Sequence, residues 1–238
     1  MKPNEFTIEE FDCIPSTNEY AAQKRGEGKE LIVVAKSQSK GKGTKGRSFS
    51  SQEGGVYLTR LSYPVGLEAK NTFCVMAFAA AAVCETLEAY GLSPVIKWAN
   101  DVHVNCKKIC GILVENTLRG VYVASSIVGI GLNVNNELEE ELQSIATTMK
   151  AESGRAFDVK EVKNRLIENL RKERTMESYL SRIGYMGRAA ELLVGDRREA
   201  VTLLSVDGQG GLWVKTAEGE RRVTAAEVSL RLGGGDRE

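Results

Sequence analysis

A glycine-rich basic loop holds the residues with the clearest potential for chemistry in this 238-residue chain. Between Lys36 and Arg47 the sequence has five basic side chains, no acidic one and three glycines. Glycine lets a ligand approach the backbone closely, and lysine and arginine donate charge-assisted hydrogen bonds to phosphate or carboxylate oxygens. We therefore predict that the stretch 38–58 binds an anion, with a solvated basic loop as the alternative.

The basic loop matches one phosphate-binding signature and is one residue away from a second, and its context argues against both. Gly41, Gly43 and Gly46 have the spacing of a dinucleotide fingerprint, and the run to Ser48 differs from a P-loop in having Arg47 in place of the lysine. Both signatures require a helix to begin at the last glycine, whereas the following residues have no helical period and soon alternate like a strand. We predict a loop between two strands that holds the anion with amides and basic side chains.

A second group of polar residues lies beside apolar strands in the segment 95–116. Polar side chains near a core are costly unless they pair with one another or bind a ligand. The members of this group are Lys97, Asn100, Asp101, Lys108 and Glu115.

A third polar position follows the next apolar strand. Gly129 and Gly131 permit close approach of a flat ligand, and Asn133 can read hydrogen-bond donors and acceptors.

Apolar periodicity predicts a mixture of strands and helices around these residues. Strands are predicted at 6–14, 31–35, 56–61 and 121–134, with a hairpin containing a Lys-Lys turn over 95–116. Helices are predicted from a cap at Ser16 or Thr17 to about Arg25, from Asn71 or Thr72 to Gly91, and from Asp158 to about Ile183. After Gly187, short strands with hairpin turns at Asp207-Gly208 and Glu218-Gly219 predict a small β-barrel.

Composition limits the class of protein. The chain is 42% hydrophobic and can bury a sizeable core, and 32 basic residues balance 32 acidic ones, so no global basic field favours nucleic acid. The most apolar run, 73–84, is about 12 residues long and too short to span a bilayer, and no signal-peptide pattern follows Met1. We expect a soluble, cytoplasmic protein without membrane association.

The five cysteines are irregularly spaced and mostly lie among apolar residues, which predicts reduced thiols. Cys106 and Cys110 lie near the single histidine, His103, but no second pair has zinc-site spacing. We therefore predict no metal site built from protein side chains.

Six motifs in register resemble the biotin–protein ligases. They are Ser16-Thr17-Asn18, Gln38 with the basic loop, Lys97 to Asp101, Lys107 to Glu115, Gly129 to Val134 and Glu227 to Arg231. This resemblance covers nearly the whole chain. It implies an α+β fold, with a mixed central sheet and helices related to class II aminoacyl-tRNA synthetases over residues 1–187 and an SH3-like barrel over 188–238. It also implies a short form that lacks the N-terminal DNA-binding domain.

The resemblance also implies a two-step reaction. In that family the biotin carboxylate attacks the α-phosphate of ATP with Mg²⁺ to give biotinyl-5′-AMP, and a carrier lysine then attacks the acyl carbon and releases AMP. A cationic loop and Mg²⁺ suit the meeting of two anions. The implied partner is the biotin carboxyl carrier protein or domain of a biotin-dependent carboxylase. Specific DNA binding is not expected, and a homodimer is left open.

Roles for individual residues follow from the same resemblance. The implied catalytic cations are Lys108 and Lys42. The implied biotin site comprises Ser16, Thr17, Asn18, Gln38, Gly41, Lys42, Gly43, Thr44, Lys108 and Gly111. The implied ATP site comprises Arg47, Phe49, Lys97, Asn100, Asp101, Gly129, Asn133 and Arg231. Lys107 is expected to be a solvated turn residue, and Trp98 is expected to belong to the core.

The chain departs from the family pattern at three positions. The family loop is usually Gly-Arg-Gly-Arg-x-Gly-Arg, whereas Lys42 and Thr44 replace its first two arginines here. Lys42 keeps the charge and loses the bidentate fork, and Thr44 loses both. Ala99 replaces the usual proline of Lys-Trp-Pro-Asn-Asp. These departures bear on retention of the intermediate more than on the type of reaction.

Three alternatives remain open at this point. A lipoate or octanoate–protein ligase shares the fold and the carrier lysine, although Ser16, Thr17 and Gln38 favour a ligand with a hydrogen-bonding head. A noncatalytic biotin or nucleotide sensor would bind biotin without forming AMP, and Lys108 argues against it. A DNA-binding regulator should show a basic recognition helix, and the sequence shows none.

Overall fold

A seven-stranded mixed sheet forms the larger part of the molecule, in a computed structural model that describes residues 6–195 and 197–232. Its strands are β1 (Thr7–Ile14), β2 (Leu31–Gln38), β3 (Val56–Ser62), β4 (Val95–Lys97), β5 (Asp101–Val104), β6 (Lys107–Arg119) and β7 (Tyr122–Leu132). Their order across the sheet is β1-β2-β3-β7-β6-β5-β4. The strands β1 and β2 are parallel and the other neighbours are antiparallel, so the prediction of a mixed sheet is confirmed.

The helices begin largely where the sequence predicts. They are α1 (Thr17–Gln23), α2 (Phe73–Glu88), α3 (Met149–Ser153), α4 (Val159–Arg171) and α5 (Glu177–Leu180). The Ser16 hydroxyl caps α1 by accepting from the Glu19 amide, and the Asp158 carboxylate caps α4 by accepting from the amides of Lys160 and Glu161. Each cap satisfies amides that have no partner within the first helical turn.

The third predicted helix is too long. It was expected to run from Asp158 to about Ile183, but α4 ends at Arg171 and α5 is a separate short helix. Between them Arg174 forms a bidentate ion pair with Glu85 of α2, with nitrogen–oxygen distances of 2.6 and 3.1 Å. This contact joins residues far apart in sequence, so a local pattern could not predict it.

The predicted hairpin over 95–116 is also wrong in detail. This segment forms β4, β5 and the first part of β6, which is three strands. The tight turn falls on Asn105 and Cys106, whose φ angles are 49° and 66°, and Lys107 and Lys108 begin β6. Lys108 is thereby held in a strand and does not lie at a flexible turn.

The two faces of the sheet carry different layers. Along β2, Ile32 and Val34 join the large core cluster that contains α2 and α4, while Leu31 and Val33 pack with Ala21 of α1. This alternation is the period of two expected of a strand. The α1 face is the one that carries the ligand cavity described below.

The helix α2 bears on the prediction about membranes. With its preceding turn it makes a 20-residue segment, Ala69–Glu88, that is long and apolar enough to cross a membrane by length and composition. The sequence analysis considered only the apolar run 73–84, which is too short to span a bilayer. Half of the segment's most apolar window is buried inside the fold, and a core helix meets the same criterion.

A smaller antiparallel sheet follows in the C-terminal part of the chain. Its strands are β8 (Ala189–Val194), β9 (Arg197–Val206), β10 (Leu212–Thr216), β11 (Gly219–Val223) and β12 (Ser229–Leu232), in the order β11-β10-β9-β8-β12. The hairpins at Asp207-Gly208 and Glu218-Gly219 are confirmed. Trp98 of the larger unit is buried in the core of this sheet and donates from Nε1 to the Gly210 carbonyl at 3.0 Å. The domain boundary after residue 187 stays a prediction.

The turn between β9 and β10 is built around Asp207. Its carboxylate accepts hydrogen bonds from the amides of Gln209 and Gly211 and from the Arg222 guanidinium. The Arg222 hydrogen bond is the largest cause that lowers the pKa of Asp207, which falls to about 2. Burial opposes this shift, and the two amides support it.

We expect Asp207→Asn to lower the free energy of unfolding by about 2 kcal/mol at pH 7. Because the folded pKa is depressed, the stabilisation is fully present above the ordinary value of 3.8 and is lost as the pH falls through about 2. Urea unfolding of the wild type and the variant between pH 7 and pH 3 measures the difference, with Glu218→Gln in the next turn as the control. A difference that does not narrow below the ordinary pKa would contradict the assignment.

Candidate active site

One cavity of about 910 Å³ lies between the α1 face of the large sheet, the basic loop, the segment 138–146 and the small sheet. It collects nearly all the residues singled out in the sequence. The predicted site residues that line it are Ser16, Thr17, Asn18, Gln38, Lys42, Gly43, Thr44, Arg47, Phe49, Lys97, Asn100, Asp101, Lys108, Gly111, Gly129, Asn133 and Arg231. Six separate segments thus meet at a single site.

Gly41 is the predicted site residue that does not line the cavity. It is buried within the basic loop, and its carbonyl accepts from the Phe49 amide at 2.9 Å. A Cβ at this position would collide with the Phe49 carbonyl and the Ser51 hydroxyl. The structure therefore gives Gly41 a place in closing the loop, and its predicted contact with biotin finds no support in its position.

At one end of the cavity, neutral polar side chains form a hydrogen-bonded group. The Gln38 Oε1 atom accepts from both the amide and the hydroxyl of Thr17, at 2.8 and 3.0 Å. The Gln38 amide nitrogen donates to the Ser51 hydroxyl at 2.9 Å. Ser16 uses its oxygen as the acceptor that caps α1, so its hydroxyl proton can still be donated. This end suits an uncharged ligand group with both donors and acceptors.

Asn18 extends this group across the sheet. Its Oδ1 atom accepts from the Thr59 hydroxyl at 2.7 Å, and its Nδ2 atom donates to Glu115 at 2.8 Å. The amide lies directly over Gly129, where a Cβ would collide with Asn18 Oδ1. Gly129 was predicted to let the backbone approach the ligand, and in this structure it makes room for Asn18.

We expect Gly129→Ala to displace the Asn18 amide and break its bonds to Thr59 and Glu115. Asn18 is buried, and leaving a buried polar group without partners costs about 1 to 3 kcal/mol, so the free energy of unfolding should fall by that amount and biotin binding should weaken. Urea unfolding and calorimetric titration with biotin measure both effects. Gly26→Ala is the control, because a Cβ there meets no atom within 4 Å. Equal stability of the two variants would contradict this account.

Lys108 and Asp101 form an ion pair on the floor of the cavity. The Lys108 Nζ atom lies 2.8 Å from an Asp101 carboxylate oxygen and 5.9 Å from the centre of the Phe49 ring. A Cβ at Gly111 would come within 3.0 Å of the Lys108 side chain, so glycine lets this lysine lie close to the sheet. The neighbouring Lys107 does not line the cavity, and its Nζ atom donates to the Gln143 carbonyl.

Asp101 stays ionised because of its surroundings. Burial alone would raise the pKa of this carboxyl, but the charge and hydrogen bond of Lys108 act in the opposite direction, with a smaller contribution from Lys97. The net effect holds the pKa of Asp101 below its ordinary value. An ionised Asp101 holds Lys108 in place through this ion pair.

The basic loop is held by contacts with α1 and β12 and by contacts within the loop. Lys42 pairs with Glu19 at 2.6 Å, and this hydrogen bond is the largest cause that raises the pKa of Lys42. Arg47 donates to the hydroxyl of Thr44 at 3.0 Å. Lys45, with φ of 56°, donates to Ser229 of β12 at 2.9 Å and so ties the loop to the small sheet.

The two asparagines predicted to surround ATP hold the protein's own backbone. Asn100 Nδ2 donates to the Ile112 carbonyl at 3.0 Å, and Asn133 Nδ2 donates to the Thr147 carbonyl at 3.1 Å. Both residues line the cavity, but the Asn100 carbonyl accepts from the Ile112 amide and the Asn133 carbonyl from the Met149 amide, so these backbone groups are already used within the protein. Arg231 also lines the cavity from β12, opposite Glu191 of β8.

Phe49 fills the space above two glycines. A Cβ at Gly131 would collide with its ring, and a Cβ at Gly111 would come within 3.1 Å of it. The two glycines therefore let the ring lie close to β6 and β7. Phe49 also lines the cavity, and its implied place in the ATP site stays a prediction.

Sequence reasoning missed several residues of this cavity. Glu19 and Thr59 contact predicted site residues, and an apolar wall comes from the segment 138–146 through Leu138, Leu142 and Ile145. The apolar spacing of that wall was hidden in an acidic run. Within the residues that the structure describes, no group of three or more His, Cys, Asp or Glu side chains could hold a metal ion.

Comparison with known proteins identifies the family. The model of the biotin/lipoate A/B protein ligase family matches residues 10–133, just over half of the chain. A bifunctional ligase/repressor BirA of Bacillus spizizenii is 32% identical over 240 residues, which cover 92% of this chain and 72% of the relative. The chain belongs to the biotin/lipoate A/B protein ligase family. A biotin--[acetyl-CoA-carboxylase] ligase of Paracoccus denitrificans is a further relative of this ligase-family chain, 27% identical over 218 residues, covering 82% of the chain and 88% of the relative.

A solved structure supports the same assignment for this family member. The biotin protein ligase from Aquifex aeolicus in complex with biotin and ATP is 32% identical, with a TM-score of 0.78 over 95% of this chain and 99% of that one. The larger mixed sheet and the smaller antiparallel sheet match that ligase fold. The predicted α+β class, with a C-terminal SH3-like barrel, is thereby confirmed.

Proposed function

We propose that this chain is an ATP-dependent biotin–protein ligase that forms biotinyl-5′-AMP and transfers biotin to a lysine of a carrier protein. The observation that carries the proposal is a single cavity with neutral polar groups at one end and cations at the other, on a fold shared with a ligase solved with biotin and ATP. Biotin has an uncharged polar ring and a carboxylate tail, and ATP is polyanionic. The two ends of the cavity suit these groups.

The neutral end is proposed to bind the biotin ring. Thr17 and Gln38 hold each other through two hydrogen bonds before any ligand arrives. Ser16 has a hydroxyl proton to donate, and the Gln38 amide nitrogen has a second hydrogen beyond the one used for Ser51. Groups that are already oriented lose little freedom when the ligand binds.

The cationic end is proposed to serve both chemical steps. Adenylation brings the biotin carboxylate to the α-phosphate, and Lys108 lines the cavity that the two predicted ligand sites share. Its ammonium can follow the charge from the carboxylate to the phosphate oxygens, and in the second step it can stabilise the oxygen of the acyl carbon attacked by the carrier amine. Lys42 and Arg47 would add charge from the loop once the contacts with Glu19 and Thr44 give way.

Mg²⁺ is proposed to enter with ATP as part of the substrate. Mg²⁺ is commonly held by substrate phosphates with one or two carboxylates, so the donor set here fits a metal carried by the nucleotide. Asp101 is the ionised carboxylate that lines the cavity closest to Lys108. When bound, the metal would neutralise phosphate charge.

The direct test is a mass shift on a carrier-protein lysine after incubation with biotin and ATP with Mg²⁺. The proposed acceptor is the biotin carboxyl carrier protein or domain of a biotin-dependent carboxylase. Formation of AMP together with the mass shift supports the ligase, whereas biotin binding without AMP would show a sensor. Parallel incubation with lipoate separates this function from lipoate or octanoate ligation, which the neutral polar end disfavours.

The remaining proposals concern partners and location. We place the chain in the cytoplasm, in line with its composition. DNA affinity is expected to be weak and strongly salt-dependent because acidic and basic residues balance, and fluorescence anisotropy at two salt concentrations measures it. A homodimer would double the mass seen in sedimentation velocity.

A further inference from the structure

A hydrogen-bonded frame behind the cavity surrounds the backbone of Lys108. Its side chains belong to Asn105, Asn133, Thr147 and Glu152. Of these, Asn133 alone was predicted to belong to the site, and there it was expected to contact ATP.

The backbone of Lys108 depends on the segment that ends at Thr147. The Lys108 amide donates to the Ile145 carbonyl, and the Thr147 amide donates to the Lys108 carbonyl, each at 2.9 Å. The pairing of β6 with β7 begins only at Cys110, and the pairing with β5 is irregular between Val102 and His103. The position of Lys108 is therefore set to a large extent by residues 145–147.

Thr147 is itself held from two sides. The Asn133 Nδ2 atom donates to its carbonyl at 3.1 Å, and its hydroxyl donates to Glu152 Oε1 at 2.6 Å. Asn133 is kept in place by Asn136, whose Nδ2 atom donates to Asn133 Oδ1 at 3.2 Å. Asn133 and Thr147 are buried at 5% and 4% exposure, so water competes little for these bonds.

Glu152 also reaches the turn on the other side of Lys108. The Asn105 Nδ2 atom donates to Glu152 Oε2 at 2.6 Å, and Asn105 adopts φ of 49° in the turn that leads into β6. One carboxylate thus fixes both the turn before Lys108 and the segment beside it. Both hydrogen bonds to the Glu152 side chain are 2.6 Å long, at the short end of the usual range.

We propose that Glu152 and Asn133 are positioning residues that fix Lys108 through Thr147 and Asn105. The proposal rests on the proposed ligase function. It adds three residues that do not line the cavity, Asn105, Thr147 and Glu152, and it gives Asn133 a second role. A cation that stabilises a transition state must be placed accurately, because a displacement of about 1 Å can cost about 100-fold in rate.

The test uses Glu152→Ala and Thr147→Val in the full chain, with Ser153→Ala as the control in the same helix. Single-turnover formation of biotinyl-AMP should slow about 10- to 100-fold in both variants, while the dissociation constant for biotin, measured by calorimetry, stays within about twofold of wild type. The control should match wild type in both measurements. Thr147→Val keeps the backbone bonds to Lys108, so it carries the test if Glu152→Ala does not fold.

The decisive comparison combines each variant with Lys108→Ala. If the frame acts through Lys108, neither variant slows adenylation further once this lysine is absent. Additive losses, a parallel loss of biotin affinity, or wild-type rates in both variants would overturn the proposal while the ligase function stands. Absence of biotinyl-AMP in the wild type would overturn the function and this inference together.

Discussion

Replacing Lys108 with alanine is expected to slow formation of biotinyl-AMP about 10²- to 10³-fold while the fold stays intact. Removing one preorganised donor from a developing charge typically costs about 2.7 to 4 kcal/mol. Lys108 fits this description because it lines the cavity, lies in a strand and is held 2.8 Å from Asp101. The rate of single-turnover adenylation, monitored through the release of pyrophosphate, measures the effect.

Lys107→Ala is the matched control. This lysine is adjacent in sequence, does not line the cavity and contacts the Gln143 carbonyl, so adenylation should be nearly unchanged. Equal losses in the two variants would defeat the assignment of Lys108.

A second variant separates the charge of Lys108 from the loss of its ion pair. Removing Lys108 alone leaves Asp101 buried without its partner, which costs stability. The double variant Lys108→Ala/Asp101→Asn should recover stability and should not recover the adenylation rate. Recovery of the rate would mean that the unpaired carboxylate, and not the missing cation, caused the defect.

Replacing Thr44 with arginine is expected to slow release of biotinyl-AMP by roughly 10- to 150-fold. An arginine here could add a charge-assisted hydrogen bond to the intermediate, worth about 1.5 to 3 kcal/mol. The two neighbouring lysines do not take its place, because Lys45 bonds to Ser229 and Lys42, once it leaves Glu19, is proposed to bind the ligand from its own position. Dissociation of the intermediate in wild type and variant measures the effect, and stray labelling of bystander lysines should fall while carrier ligation is largely unchanged.

Thr44→Val is a useful control for this variant. It removes the hydroxyl that accepts from Arg47 without adding charge, so it reports the loss of that bond alone, while the bond from Arg47 Nε to the Thr44 carbonyl remains. Indistinguishable release rates in wild type and Thr44→Arg would show that position 44 acts only as a spacer in the loop.

Much of the site could be predicted because its residues are concentrated in short motifs with characteristic spacing. Ser16 and Asp158 were found as caps because a cap depends on amides only two or three residues away. The alternation that buries Ile32 on one face of the sheet and Val33 on the other is equally local. Interactions between residues this close in sequence can be predicted from the local sequence.

Contacts between distant segments account for what was missed. The pairing of Lys42 with Glu19, the return of residues 145–147 beside Lys108, and the reach of Glu152 to Asn105 join parts of the chain that no local pattern relates. The role expected of Gly129 changed for the same reason. The space above Gly129 is filled by Asn18 of α1, a residue far from Gly129 in sequence.

The sequence by itself determined the polar and basic residue types, the strand and helix periods and the family resemblance, since each is carried by side-chain chemistry and local spacing. Only the tertiary structure decided which of those residues share the cavity and which partner each has. Gly41 was left out of the cavity and Asn133 was turned toward Thr147, because close packing allows each buried polar group few partners. Those partners come into reach only when the sheet has assembled.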